Sequence, residues 1–332
     1  MTMRRRCVLA AGLGHAVGLS AAGGAHRAHA QQIGGWPSGL NTSVVVPYTP
    51  GGPSDSIGRH LARGFTQRLG GNFAVENRPG ASTTLAARQM ARARPDGSTL
   101  LIGTIATFAN APHAFRNIGY DPVADFTHIT LLVDTVYCLV ANLKWGSWAH
   151  MLQASRAEEN AVTYASQGIG TTGHLPMVEL AGRTGVSWLH VPYSGGAPAV
   201  TSVVAGQTDL MFATFGSARA LLAEGKIKPL AISLLQRSEL LPDVPTFEEL
   251  GVPGFAPGGW YSLAAPRGMS DAQVTALSGA AEATITSDTF RDFMRQNALT
   301  PLPRGPAQAL SLVKEDLVRQ GALMRRAGIR PE

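Results

Sequence analysis

Two glycine-containing segments carry the residue types that bind small anions. The first, residues 48–55, follows a run of three valines and precedes a helical pattern of apolar residues. A turn with two adjacent glycines allows the backbone to approach a ligand closely, and the helix that follows presents free N–H groups to an anion. We expect the following residues at a ligand: Tyr48, Thr49, Gly51, Gly52, Ser54 and Asp55. A plain structural turn is the alternative, and Asp55 also suits a helix cap.

The second segment, residues 166–174, again lies between a strand pattern and a helical pattern. It contains a G-x-G-x-x-G spacing, but the strand after it ends in Pro192-Tyr193-Ser194 with no acidic residue for a ribose. A second anion-binding loop is therefore the favoured interpretation, with a plain turn and a nucleotide site as alternatives. Its candidate ligand residues are Ser166, Gly168, Gly170, Thr171, Thr172 and His174.

Other chemistry finds little support in the sequence. No histidine has the HxxxH or HxH spacing of a metal site, and no G-x-S-x-G sequence or paired-carboxylate motif is present. The first loop also lacks the Lys-Ser/Thr pair of a nucleotide-binding P-loop. We therefore expect a binding protein rather than an enzyme, with no cofactor and no metal.

The elements around these segments alternate between strand and helix. Strands near residues 44–46, 72–76 and 99–102 enclose two helices, and a second block of strands, turns and helices follows an apolar run at residues 130–142. This pattern predicts two α/β domains, with ligands beyond the carboxyl ends of parallel strands. Three more candidates lie at or near strand ends: Thr107, Tyr193 and Phe212.

The N-terminus indicates export. Residues 1–30 combine three consecutive arginines, a small apolar stretch and an A-x-A cleavage pattern ending at Ala30, which is typical of a signal peptide; Sec and twin-arginine export both remain open. Its removal reduces 28 basic against 22 acidic residues to 24 against 22, so the charge does not favour nucleic acid. One cysteine, Cys138, then remains in an apolar run, and we expect it to be a buried, inert thiol.

Many further motifs match one family in order and spacing. They are Val46-Pro47-Tyr48-Thr49-Pro50-Gly51-Gly52-Pro53-Ser54-Asp55, Val75-Glu76-Asn77-Arg78-Pro79-Gly80, Pro95-Asp96-Gly97-Ser98-Thr99, Tyr120-Asp121-Pro122, Tyr164-Ala165-Ser166, His190-Val191-Pro192-Tyr193, Asp209-Leu210-Met211-Phe212, Leu241-Pro242-Asp243-Val244-Pro245 and Ala327-Gly328-Ile329. On these residues the chain resembles the Bug family, the TctC-like solute-binding proteins of tripartite tricarboxylate transporters.

The resemblance implies a type II periplasmic-binding-protein fold with a ligand cleft between two lobes, each with a central, mostly parallel sheet flanked by helices. Lobe 1 would comprise residues 31–137 and 258–332, and lobe 2 residues 138–257. The implied function is capture of a small carboxylate in the periplasm by a monomeric receptor, which delivers it to membrane transporter subunits. The loops 48–55 and 166–174 would grip the ligand from opposite lobes.

Two other functions remain open on the sequence. A sensory protein that presents its closed form to a sensor kinase would use the same cleft, and a dinucleotide-dependent enzyme would use the loop Gly168–Gly173. Departures from the family pattern at Ser82–Thr84, Ser194 and Ala213 leave the ligand unidentified. The absence of an acid at position 213 slightly favours a ligand without an ammonium group.

Overall fold

The computed structural model describes residues 36–326 and 328–331, so the predicted signal peptide at residues 1–30 lies outside the described residues. Eleven strands occur within them: β1 (Asn41–Val46), β2 (Asn72–Asn77), β3 (Thr99–Thr104), β4 (Phe126–Thr135), β5 (Tyr137–Ala141), β6 (Thr163–Ser166), β7 (Leu189–Pro192), β8 (Leu210–Thr214), β9 (Lys228–Ile232), β10 (Gly259–Pro266) and β11 (Leu299–Arg304).

Helices connect these strands and cover both sheets. The α-helices are α1 (Pro53–Leu69), α2 (Thr84–Ala91), α3 (Ala111–Ala114), α4 (Trp148–Ala157), α5 (Leu175–Thr184), α6 (Gly196–Val204), α7 (Phe215–Ala223), α8 (Asp271–Ile285), α9 (Asp288–Gln296) and α10 (Pro306–Arg326), with a 3₁₀ turn at Ala81–Thr83 and a π-helical turn at Ala106–Asn110. None of the described helices is long and apolar enough to cross a bilayer.

The strands form two mixed sheets. The first has the order β11-β4-β10-β3-β1-β2 and the second the order β7-β6-β8-β5-β9. Each sheet has only two parallel strand pairs. In the first sheet β1 pairs parallel with β2 and with β3, and in the second sheet β6 pairs parallel with β7 and with β8. The prediction of mostly parallel sheets is therefore wrong in that detail, because the strands that carry the chain between the sheets, β4, β5 and β10, all pair antiparallel.

Both faces of the two sheets are buried, which explains the continuous apolar runs in the sequence. In β1, Val44 and Val46 pack into one core cluster with α1 and α8, whereas Val45 packs into another on the opposite face. In β8, Leu210 and Phe212 face one cluster and Met211 and Ala213 another. This period-two division places hydrophobic side chains on both sides of each central strand.

The chain passes between the sheets where the apolar run at residues 130–142 was predicted. This run forms two strands: β4 ends in the first sheet at Thr135, and β5 begins in the second sheet at Tyr137. The chain returns to the first sheet at β10. The lobe boundaries at residues 137–138 and 257–258 remain a prediction.

One strand in the C-terminal segment was missed by the sequence analysis. The region from residue 271 onward is mainly helical, as predicted, but β11 interrupts it and pairs with β4 at the edge of the first sheet. The strand contains Pro301 and Pro303, which lack the N–H that a central strand requires. An edge position tolerates proline, so the sequence carries no ordinary strand signal there.

Candidate ligand-binding site

A cavity of about 30 Å³ lies between the two sheets. Its walls come from the ends of β3, β4 and β8, the starts of β5, β10, α1, α6 and α7, and the loops after β1 and β6. The lining residues are Tyr48, Thr49, Gly52, Pro53, Ser54, Thr104, Ile105, Thr135, Tyr137, Gln167, Thr172, Gly196, Thr214, Ser217, Gly259, Trp260 and Tyr261. We call it the first cavity; its volume holds a group about the size of two water molecules.

The loop after β1 brings a helix N-terminus to this cavity. Helix α1 begins at Pro53, and its N-cap Gly52 provides no side chain to occupy the first N–H groups. Gly51 has a φ of 91°, a left-handed conformation that glycine adopts without strain. Gly52, Pro53 and Ser54 all line the cavity, so the positive end of the α1 dipole faces it.

Asp55 stabilises this loop from behind and does not line the cavity. Its carboxylate accepts hydrogen bonds from the Gly51 amide at 3.2 Å, from Arg59 at 3.0 Å and from Asn77 at 3.0 Å. Burial alone would raise the pKa of Asp55, but these hydrogen bonds, Arg59 first, hold the pKa below its usual value. The expected alternative role as the helix cap is wrong, because Gly52 is the N-cap.

Two further helices start at the same cavity from the second sheet. Helix α6 has Gly195 as its N-cap and Gly196 as its first residue, and helix α7 has Thr214 as its N-cap; neither N-cap makes a side-chain cap hydrogen bond. Gly196, Thr214 and Ser217 line the cavity opposite the α1 N-terminus. Three helix N-termini therefore converge on one small space, an arrangement that favours an anion.

The side chains that line the first cavity are uncharged, and most of them can form hydrogen bonds. The Oγ1 atoms of Thr49 and Thr135 and the Oε1 atom of Gln167 are buried and have no hydrogen-bond partner. Burial, slightly offset by the hydrogen bond to Thr104, raises the pKa of Tyr48 to about 12, and burial also raises the pKa of Tyr137. Both phenols therefore stay neutral at ordinary pH.

A second cavity of about 210 Å³ adjoins the first and shares Tyr48 and Gln167 with it. Its remaining lining residues come from the segment after β1, the 3₁₀ turn before α2, the loop after β6, and the end of β7 with the loop that follows it. They are Pro47, Gly80, Ala81, Ser82, Thr83, Gly168, Ile169, Pro192, Tyr193 and Ser194. Ala81, Ser82 and Thr83 all have positive φ, at 44°, 49° and 80°. Three consecutive non-glycine residues in this region indicate backbone strain, which is common at functional sites.

The loop at residues 166–174 forms several hydrogen bonds between its own amides and its own acceptors. The Gly168 amide donates to Ser166 Oγ, the Gly170 amide to His174 Nδ1 and the Thr171 amide to the Gly168 carbonyl. The Thr171 hydroxyl donates to the same carbonyl at 2.6 Å. These bonds fix the shape of the loop and leave its edges, Gly168 and Thr172, at the two cavities.

Two histidines hold this loop in place. The His174 and His190 rings stack with centroids 4.2 Å apart, and His190 Nε2 is 2.6 Å from Ser166 Oγ. Burial lowers the pKa of His174 to about 4, and burial together with the charge of His174 lowers that of His190 to about 3. Both imidazoles are therefore neutral at pH 7, which the acceptor role of His174 Nδ1 requires.

The predicted site residues fall into three groups. Tyr48, Thr49, Gly52, Ser54 and Thr172 line the first cavity, and Tyr48, Gly168 and Tyr193 line the second. The others lie behind the walls, where they hydrogen-bond within a loop or pack in a core: Gly51, Asp55, Thr107, Ser166, Gly170, Thr171, His174 and Phe212. Their contact with a ligand remains a prediction.

Ala213 and Cys138 lie away from both cavities. Ala213 is fully buried in a core cluster beside β5, so its identity carries no information about an ammonium group on the ligand. The prediction for Cys138 is confirmed: the thiol is buried in the same cluster, and burial raises its pKa to about 12.

Several lining residues were not singled out from the sequence. Gly196 belongs to the run Gly195-Gly196-Ala197-Pro198, which repeats the Gly51-Gly52-Pro53 pattern of paired glycines before a helix with an early proline. That similarity was a usable signal. Tyr137, Gln167, Thr214 and Ser217 carried no such signal, because only the pairing of the strands brings them to the same place.

A larger groove, of about 590 Å³, is bordered by α5, α10 and the segment before β10. Of the predicted residues only Thr172 borders it, and its walls carry both charges, including Asp134 and Arg319, beside leucines. Among the described residues no group of three histidines, cysteines or acids is placed to hold a metal ion.

The structure has two α/β lobes that are connected by strands, and loops from both lobes surround a cavity that favours an anion. This arrangement defines the class of bilobal solute-binding proteins. The sequence profile described as the Tripartite tricarboxylate transporter family receptor, TctC, matches residues 57–329. The chain belongs to this family.

Solved structures of similar proteins agree with this assignment. Rpa4515 of R. palustris, solved with adipate, is 31% identical, with a TM-score of 0.86 over 90% of this chain and 100% of that one. The periplasmic binding protein BugD is 31% identical, with a TM-score of 0.85 over 89% of this chain and 99% of that one. MatC from Rhodopseudomonas palustris, solved with malate, is 32% identical, with a TM-score of 0.81 over 86% and 99%.

Proposed function

We propose that the chain is a periplasmic receptor that captures a small organic carboxylate between its lobes and delivers it to a transporter of the tripartite tricarboxylate type. The observation that carries the proposal is the convergence of the α1, α6 and α7 N-termini on the first cavity. Helix N-termini stabilise an anion without a positively charged side chain. Adipate and malate, which the Rpa4515 and MatC structures contain, belong to the same chemical class.

The ligand would join the two lobes. One carboxylate in the first cavity would accept hydrogen bonds from the Ser54 side of the cleft and from Gly196 and Ser217 on the other. Because these groups belong to different sheets, ligand binding would favour the closed arrangement over an open one. The predicted ligand residues, the lobe boundaries, the signal peptide and a monomeric state are part of this proposal.

A thermal-shift screen of the purified protein against mono-, di- and tricarboxylates, amino acids and NAD tests the receptor role. A ligand at about 100 times its dissociation constant stabilises the folded state by about 2.7 kcal/mol, which is readily measured. A shift with carboxylates is the expected result. Stabilisation by NAD alone would contradict it and favour a nucleotide site at Gly168–Gly173.

Two further measurements test the rest of the proposal. Mass spectrometry of the bound carboxylate after long incubation should recover it unchanged, because the proposed role is capture without chemistry. Uptake of the same carboxylate by cells should fall when the gene for this chain is deleted. Normal uptake with lost transcriptional induction would favour the sensory role instead.

A further inference from the structure

We propose that the second cavity receives an uncharged part of the ligand, so that the protein prefers monocarboxylates carrying a hydroxyl or carboxamide group over dicarboxylates. The inference rests on the proposed function, because it takes one carboxylate to occupy the first cavity. It concerns the chemistry of the remainder of the ligand. It also separates this chain from Rpa4515 and MatC, whose structures contain the dicarboxylates adipate and malate.

The sizes of the two cavities divide a ligand into two parts. The first cavity, at about 30 Å³, has room for little more than the two oxygens of a carboxylate. The second, at about 210 Å³, has room for several carbon atoms and a further polar group. Tyr48 and Gln167 line both cavities, so a ligand anchored in the first extends past these side chains into the second.

The lining of the second cavity is partly apolar and partly polar, and it carries no charge among the described residues. The Oγ1 atom of Thr83 and the Oε1 atom of Gln167 are buried without a hydrogen-bond partner, and their residues are only 1% and 8% exposed. Buried polar groups are costly unless they form hydrogen bonds. A hydroxyl or carboxamide on the ligand both donates and accepts, so it can pair with either group.

Two arginines, Arg78 and Arg88, belong to segments beside the second cavity but do not line it. Arg78 forms two hydrogen bonds with the Glu76 carboxylate, at 2.7 and 2.8 Å. Arg88 donates to the Thr84 hydroxyl at 3.0 Å, and its buried Nε has no hydrogen-bond partner, but Arg88 does not line the cavity. Because neither arginine lines the cavity, neither is a direct partner for an anion there.

The start of helix α2 adds little to compensate a second anion. Although Thr83, its N-cap, lines the cavity, the Thr83 and Thr84 amides donate to the Gly80 and Ala81 carbonyls of the 3₁₀ turn. The helix itself has only eight residues. This start therefore differs from the α1 and α6 starts, whose N-caps make no side-chain cap hydrogen bond and whose first N–H groups border the first cavity. In α7 the first amide, that of Phe215, donates to the Val136 carbonyl at 3.0 Å, and Thr214 and Ser217 line the first cavity.

A second carboxylate would thus lose its hydrating water without gaining a charged partner. The free-energy cost of desolvation is far smaller for an uncharged carboxamide of the same shape. We expect each half-amide to bind at least tenfold more tightly than the dicarboxylate of the same length. Calorimetric titration of the purified protein, expressed from the full chain and freed of ligand by dialysis, tests this with succinamate against succinate, glutaramate against glutarate and adipamate against adipate.

The possible results separate the inference from the proposed function. Tighter binding of the half-amides, at whichever lengths bind, supports the inference. Equal or tighter binding of the dicarboxylates overturns the inference but not the proposed carboxylate-receptor function. The same conclusion follows if neither the half-amides nor the dicarboxylates bind while another carboxylate binds in the thermal-shift screen. Failure of every carboxylate in that screen overturns both.

A charge-introducing variant provides an independent test. Ser194 is exposed and lines the second cavity, so Ser194→Lys adds a cation there without disturbing the core. The variant should move the affinity ratio at least tenfold toward the dicarboxylate. Gln236→Lys adds the same charge at an exposed position away from both cavities and should leave the ratio unchanged. Equal ratios in the two variants would overturn the assignment of the second cavity.

Discussion

The two sides of the cleft approach each other closely at Gly195. A Cβ atom added there would lie 2.2 Å from Thr49 Oγ1 and 3.3 Å from Thr49 N and Cβ. Thr49 belongs to the loop after β1, in the first sheet, and Gly195 precedes α6, beside the second. The φ of Gly195 is 177°, an extended conformation open to any residue, so alanine at this position strains nothing within its own loop.

We predict that Gly195→Ala weakens carboxylate binding without destabilising the unliganded protein. The contact with Thr49 Oγ1 is more than 1 Å shorter than the 3.4 Å of ordinary van der Waals contact. Overpacking of this kind costs about 1–3 kcal/mol, and the cost falls only on the closed arrangement. That corresponds to about 5- to 150-fold weaker binding by calorimetry.

Matched variants separate steric closure from other effects. Gly182→Ala places a methyl group on α5 with no atom within 4 Å and should bind ligand as the unmodified protein does. Thr49→Ala removes the clashing oxygen, so the double variant with Gly195→Ala should bind more tightly than the sum of the two single changes predicts. Unchanged binding in Gly195→Ala would refute the closure argument. A matching loss of thermal stability without ligand would assign the effect to folding instead.

Three further predictions concern the groups behind the cavity. Thr171→Ala should lower stability by about 1 kcal/mol and weaken binding together, since the hydroxyl supports the Gly168 carbonyl; weaker binding at unchanged stability would instead indicate direct ligand contact. Burial lowers the pKa of His174 to about 4 and that of His190 to about 3, so below about pH 6.5 the unfolded chain binds more protons than the folded protein, and the melting temperature should fall as the pH drops from about 6.5 toward 4. His190→Gln should make this fall less steep, and an unchanged dependence of the melting temperature on pH would contradict the explanation. Asp55→Asn should lower the free energy of unfolding by about 1–3 kcal/mol in denaturant titrations at pH 7, because the ionised carboxylate accepts the Gly51 and Arg59 hydrogen bonds. The difference between the variant and the unmodified protein should disappear at pH values low enough to protonate the carboxyl, and a difference independent of pH would exclude the ionised carboxylate as its cause.

The positions of Tyr48 and Ser54 followed from local sequence. A strand that ends in a glycine pair and feeds a helix places that loop at the carboxyl end of its sheet, and the neighbouring parallel strand ends at the same edge. The burial of Cys138 and the existence of two α/β blocks followed from apolar runs in the same way. The loop at residues 166–174 was located correctly, but the sequence did not show that the Gly168, Gly170 and Thr171 amides donate hydrogen bonds within the loop.

The sequence by itself determined the family, the alternation of strand and helix, and one of the three helix N-termini assigned to the first cavity. These depend on spacing along the chain, which local patterns record. Only the tertiary structure decided which loops meet: the antiparallel insertion of β5 brings Tyr137 opposite Thr214, and β10 brings Tyr261 opposite Thr104. It also decided that the two cavities are uncharged, because facing side chains come from segments up to about two hundred residues apart, and no local pattern encodes that pairing.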